Sequence, residues 1–126
     1  MKYQFARLLA LIAVLTPMAH ALDVTFEPDT RLPIVYMSVA IRGGSAADPR
    51  GKSGISRFVA EMLLRGTHSL TKGQIDQKLD QLGAALGVES DTESTVIRGA
   101  VLSKNLKPFL ALLEDVLVHP SFPPAE

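Results

Sequence analysis

The sequence predicts an α+β domain, a mostly antiparallel sheet with helices packed on one face. Three observations predict it. Leu32 to Arg42 alternates apolar and other residues at strand period. Two segments at helical period follow it. Ala84 to Leu102 then reads as a hairpin before a last helical segment. The order strand, strand, helix, helix, strand, strand, helix favours helices gathered against an antiparallel sheet.

The elements follow in order. A short strand at Val24 to Glu27 is expected to pair with the next one across the turn-forming Pro28-Asp29-Thr30. In Leu32 to Arg42, Val35, Met37, Val39 and Ile41 fall on one face. Gly43 to Gly51 carries glycines and a proline at a density that neither strand nor helix tolerates, so it is a loop. The first helix is expected to be capped by Ser53 and ended by Gly66, with Arg65 at its carbonyl end. Ile55, Phe58, Val59, Met62 and Leu63 form its expected buried stripe, with Arg57, Ala60, Glu61 and Leu64 on the opposite side.

A second helix starts at Thr71, whose spacing to Gln74 fits a capping box, and stops at Gly83 with Ile75, Leu79 and Leu82 inward. In the hairpin, Leu86-Gly87-Val88 and Thr95 to Val101 flank the polar stretch Glu89 to Ser94. The third helix runs from about Leu106 to Val118, with Leu106, Phe109, Leu110, Leu113 and Leu117 buried, and ends before Pro120. Pro108 fits only in its first turn.

Composition excludes several classes. Thirteen basic residues balance thirteen acidic ones, which gives no electrostatic case for nucleic acid or an anionic membrane as partner. Residues 1–21 read as a signal peptide: Lys2 and Arg7, the apolar run Leu8 to Leu15, and Ala19-His20-Ala21 as a small-x-small cleavage pattern. That run is far shorter than the roughly 20 residues of a bilayer span, so no stable membrane span is expected. The mature domain, 22–126, would then be periplasmic or secreted. There is no cysteine for a disulfide framework or a lipid anchor.

The familiar catalytic arrangements are missing. His20 leaves with the signal, and His68 and His119 are far apart in sequence, each expected to serve a helix end. Ser45, Ser53 and Ser56 have no evident base at helical spacing. Gly51-Lys52-Ser53 lacks the earlier glycine that a phosphate-binding loop requires.

Leu32-Pro33, the loop Gly44 to Gly54, Phe58 and Met62-Leu63, Gly66-Thr67, Leu82-Gly83 and His119-Pro120-Ser121-Phe122-Pro123 stand in a collinear order. Together they resemble the amino-terminal part of a pitrilysin/insulinase-family zinc metallopeptidase domain, over about Leu32 to Glu126. The fold this resemblance implies is a truncated metallopeptidase-like half-domain, and the hydrolytic members of that family carry H-x-x-E-H on the first helix. Histidines at i and i+4 share a face and bind one Zn²⁺, and the glutamate activates its water.

Here those positions hold Arg57, Ala60 and Glu61, a degenerate zinc motif. Arginine has no lone pair to offer and alanine no proton acceptor, so neither a catalytic nor a metal residue is assigned and no cofactor is expected. The third ligand that the resemblance implies, a later glutamate, would fall beyond Glu126.

What the resemblance implies is a non-catalytic exported protein, peptide-binding or chamber-forming, that partners an active homologous zinc peptidase subunit and receives peptide or unfolded polypeptide. The alternatives are a zinc endopeptidase whose metal site is completed outside this chain, or a gene fragment with no function of its own. Arg57 and Glu61 are expected either as an ordinary solvated i,i+4 pair or as one that lines a cleft or a subunit contact.

Overall fold

The computed structural model describes residues 23–29 and 31–123, so the expected signal peptide lies outside the described residues. Three strands, β1 (Ile34–Arg42), β2 (Ala85–Ser90) and β3 (Ser94–Leu102), and three helices, α1 (Ile55–Met62), α2 (Lys72–Leu82) and α3 (Leu106–Val118), make an α+β fold. The sheet is antiparallel in the order β1-β3-β2. The chain from Asp23 to Asp29 forms no strand, and Val24 and Phe26 stay exposed. Four residues, Val24 to Glu27, do not hold an edge strand without a face to bury.

The pairing register separates two faces. Val39 lies opposite Ile97, Met37 opposite Gly99 and Val35 opposite Val101. These positions face α3, and Ile97, Val101 and Phe109 are fully buried there. Gly99 has no side chain because there is no room for one: a methyl group on it would lie 2.7 Å from the Phe109 ring and 3.0 Å from Met37. The ring therefore rests directly on the sheet. The opposite face, with Tyr36, Ser38, Arg98, Gly87 and Glu89, is exposed and carries no helix.

Helix α2 follows its local signals. The Thr71 hydroxyl and the Gln74 side chain form the reciprocal capping box, and Gly83 closes the helix at φ 57°. Ile75 is buried against Leu112 and Val116, with Leu63, Leu64, Leu70 and Leu79 packed around them. On α3 the buried residues are Phe109, Leu112, Leu113 and Val116. The expected stripe is thus rotated slightly: Leu110 is exposed, and Leu112 and Val116 take the inward positions.

Helix α1 corrects the expectation most. Its N-cap is Gly54 at φ 90°, not Ser53, and the cap is supplied from the loop. Asp48 accepts from the Gly54 and Ser56 backbone N–H groups and from the Ser56 hydroxyl, which also approaches the Gly44 carbonyl. These tethers turn Ser56 and Ala60 inward. Two small side chains let the helix lie close to the body of the domain, so Ala60 is 2% exposed while Phe58 is 61% exposed. Ile55 and Val59 also face out, and only Met62 of the expected upper stripe is buried. The helix then tightens into a 3-10 turn, Leu63–Arg65, in which Leu63 packs against the core as expected and Leu64 joins it there rather than on the Arg57 face.

Candidate functional cleft

The cleft forms between α1 and the outer end of the β2–β3 hairpin. Arg57, Ala60 and Glu61 line one wall, and Val88, Glu89, Ser90 and Arg98 the other, around a cavity of about 450 Å³. All three degenerate-motif positions therefore meet in one place. Arg57 Nε donates to Glu61 Oε1 at 3.1 Å, and the two side chains are 77% and 59% exposed. An exposed pair of this kind is worth about 0.2–0.5 kcal/mol. Across the cleft, Arg98 pairs with Glu89, again in the open.

The free edge of β2 forms part of the same cleft. The Asp91 N–H donates to the Ser94 carbonyl at 2.8 Å, and Gly43 N–H to the Glu93 carbonyl at 3.0 Å. Antiparallel ladders alternate, so Ala85, Gly87 and Glu89 bond to β3, while the N–H and C=O groups of Leu86, Val88 and Ser90 point outward. Among the described residues, these three make no other backbone bond. Gly87 adds a gap, because open space surrounds the position its side chain would occupy.

The residues present do not fit a zinc ion. Arg57 has no lone pair, Ala60 has no donor atom, and Glu61 is already paired. Among the described residues, no three His, Cys, Asp or Glu side chains are grouped as metal ligands.

A second cluster escaped the sequence because its members are distant in it. Thr67 and Ser69 both donate to Asp115 Oδ2, at 2.7 and 2.8 Å. His119 Nδ1 lies 3.4 Å from the other carboxylate oxygen. The Thr67 hydroxyl chiefly, then the Ser69 hydroxyl and lastly the nearby His119 imidazole, hold the Asp115 carboxyl below the usual carboxylate range. His68 and His119, expected to stand alone, are brought together: His68 N–H donates to the His119 carbonyl and their rings are 6.4 Å apart. Ser69 faces a carboxylate and no base, so this is a structural clasp between the α1–α2 connection and α3. Ser56 likewise serves Asp48, whose carboxyl the Ser56 hydroxyl and then the Gly54, Ser56 and Ile55 N–H groups hold low.

Comparison with known proteins gives a consistent picture. The sequence model of the insulinase family (peptidase family M16) matches residues 24–126. An uncharacterized zinc protease of Rickettsia bellii is 30% identical over 88 residues, 70% of this chain and 21% of that protein. The non-peptidase homolog YmxG of Helicobacter pylori is 27% identical over 99 residues, 79% of this chain and 23% of its own length. A crystal structure of a peptidase M16 inactive domain from Pseudomonas fluorescens superposes with a TM-score of 0.71 at 27% identity, covering 75% of this chain and 23% of the other. The chain spans between a fifth and a quarter of the length of these relatives.

Proposed function

We propose that this chain, which belongs to the insulinase family (peptidase family M16), is a non-catalytic member that binds peptide or unfolded polypeptide in extended form. In this reading it is exported after cleavage near Ala21 and works beside an active homologous zinc peptidase subunit, helping to enclose the substrate. The observation that carries the reading is the composition of one wall of the cleft. Where a hydrolytic relative would need two histidines and a glutamate, an ion pair and a buried methyl group stand, Arg57–Glu61 and Ala60. What remains in the cleft is a strand edge with outward backbone groups at Leu86, Val88 and Ser90. Such an edge captures an extended chain through its backbone, without sequence demands.

The relatives named as a non-peptidase homolog and an inactive domain support the non-catalytic half of the reading. A relative named as a mitochondrial-processing peptidase subunit beta, from Blastocladiella emersonii, supports the partnered half. The test is metal content after dialysis of the purified protein against zinc, together with peptide turnover by a co-expressed active homologue. No stoichiometric zinc and a raised turnover are expected. About one tightly held zinc per chain, with turnover abolished by a chelator, would replace this reading with a zinc endopeptidase.

A further inference from the structure

A second cavity lies between α2 and α3 and shares no residue with the cleft beside α1. It measures about 380 Å³, within the range of small-molecule sites. Leu70, Leu82 and Leu112 make its floor, and the exposed, compact side chains of Pro108 and Ala111 leave it open along α3. Both ends are fixed. At one, the Asn105 side-chain amide donates to the Leu82 carbonyl at 2.9 Å. At the other, the clasp of Thr67, Ser69 and Asp115 ties the α1–α2 connection to α3. The groove is thus built into the folded domain, and a ligand need not open it.

Its polar groups stand toward opposite ends and carry opposite charge. Lys78 and Gln81 lie on α2 toward the Asn105 end, and among the described residues neither side chain makes an ion pair or a hydrogen bond. Ser69 and Asp115 lie at the clasp end. Oδ2 of Asp115 accepts from the Thr67 and Ser69 hydroxyls, while Oδ1 has His119 Nδ1 at 3.4 Å, and the side chain is still 25% exposed. A carboxylate offers about four acceptor sites, so Asp115 can take one more donor. Between the two ends, Pro108, Ala111, Leu112 and Asp115 recur at i, i+3, i+4 and i+7. At 1.5 Å per residue that stripe is about 10 Å long.

A ligand that answers all of these groups has a carboxylate for Lys78 and Gln81, an ammonium for Asp115, and an apolar stretch of about 10 Å between them. An extended residue spans about 3.3–3.6 Å, so a peptide of about three residues with both termini free has that length and those charges. A single amino acid is too short to reach both ends, and a fatty acid leaves Asp115 unanswered. We propose that the α2–α3 groove binds short zwitterionic peptides, of about three residues with an apolar centre, by their two charged termini. This goes beyond the strand-edge reading and does not rest on it: the cleft takes the interior of a chain, whereas the groove takes free ends. Hydrolysis of longer peptides is the class of reaction that must supply such a ligand.

Titration of the full chain with Ala-Leu-Ala, its N-acetyl form and its C-terminal amide, followed by amide NMR shifts, tests it. The free tripeptide should shift the amides around Ala111, and each capped form should bind about fivefold more weakly, the size of one part-exposed ion pair. Lys78→Gln should erase the difference between the free acid and the amide while leaving the penalty for acetylation. Ala111→Leu, at an exposed helix position that leucine suits, should abolish binding and leave the protein as stable as before. The ammonium end is read by acetylating the peptide, because Asp115 also holds the clasp. No binding of the free tripeptide, capped forms that bind as tightly as it does, binding that survives Ala111→Leu, or tighter binding of octanoate than of the tripeptide would each overturn the proposal. All of these outcomes leave the strand-edge reading standing.

Discussion

The Thr67 hydroxyl donates to the Asp115 carboxylate at 2.7 Å and joins residues 48 positions apart. The same oxygen accepts from the backbone N–H groups of Ser69 and Leu70, so one buried side chain, 5% exposed, organises the connection and fastens it to α3. The strand-like bridge between Thr67 and Pro120 and the Ser121 N–H bond to the Gly66 carbonyl complete the junction.

Thr67→Val keeps the shape and removes the bonds of the hydroxyl to Asp115 and to the Ser69 and Leu70 N–H groups. It should cost about 2–3 kcal/mol, since it leaves the Ser69 and Leu70 N–H groups without their acceptor and Asp115 without its buried donor, whereas Thr67→Ser should cost less than about 1 kcal/mol. Urea unfolding of the two variants checks this. Equal midpoints would mean that the hydroxyl contributes nothing.

The pH dependence has a fixed sign. Asp115, held low by Thr67 and Ser69, and Asp48, held low by Ser56, both have folded values below their unfolded ones. The stability they add is fully present above their unfolded values and is lost as pH falls below about 4. Asp115→Asn should flatten that acid-side loss, as read from urea midpoints between about pH 5 and pH 2. An unchanged acid slope would show that Asp115 is not a source of it.

Arg57 and Glu61 are spaced so that histidines could replace them on one exposed helix face. Arg57→His with Glu61→His should take up about one Zn²⁺ per chain in calorimetry, whereas the native protein should take up none. The variant should still hydrolyse no peptide, because Ala60 supplies no base to activate water. Zinc uptake by the unaltered chain would contradict the reading of this face.

Ile55, Phe58 and Val59 present an uncovered apolar strip on α1. Such strips drive association. Phe58→Lys should shift a concentration-dependent oligomer toward monomer in light scattering, with unfolding stability changed by less than about 0.5 kcal/mol. A lower stability in the monomer range would show that Phe58 packs against its own domain.

These results separate what the sequence carried from what it did not. The capping box at Thr71 and Gln74, the hairpin, and the shared face of Val35, Met37 and Val39 were legible because each depends on neighbours in the chain. The rotation of α1 was not. Its apolar residues span more than one side, and the choice among them was made by Asp48, which reaches its first turn from the preceding loop. The His68–His119 pair and the Asp115 clasp were hidden for the same reason: they form only once α3 has packed. The edge position of β2 was not legible in its alternating pattern; it follows from the strand order, and the bonds at Asp91 and Gly43 fix which of its residues face out.

The two open ion pairs of the cleft, Arg57–Glu61 and Arg98–Glu89, have a dynamic consequence. Each is exposed and weakly held, so its side chains exchange rotamers on the picosecond to nanosecond scale. In the peptide-binding reading proposed above, an arriving polypeptide with either sign of charge takes over one member of a pair without stripping water from a buried ion. In that reading the wall is a set of swivelling contacts, and the strand edge of β2 is the fixed part of the cleft.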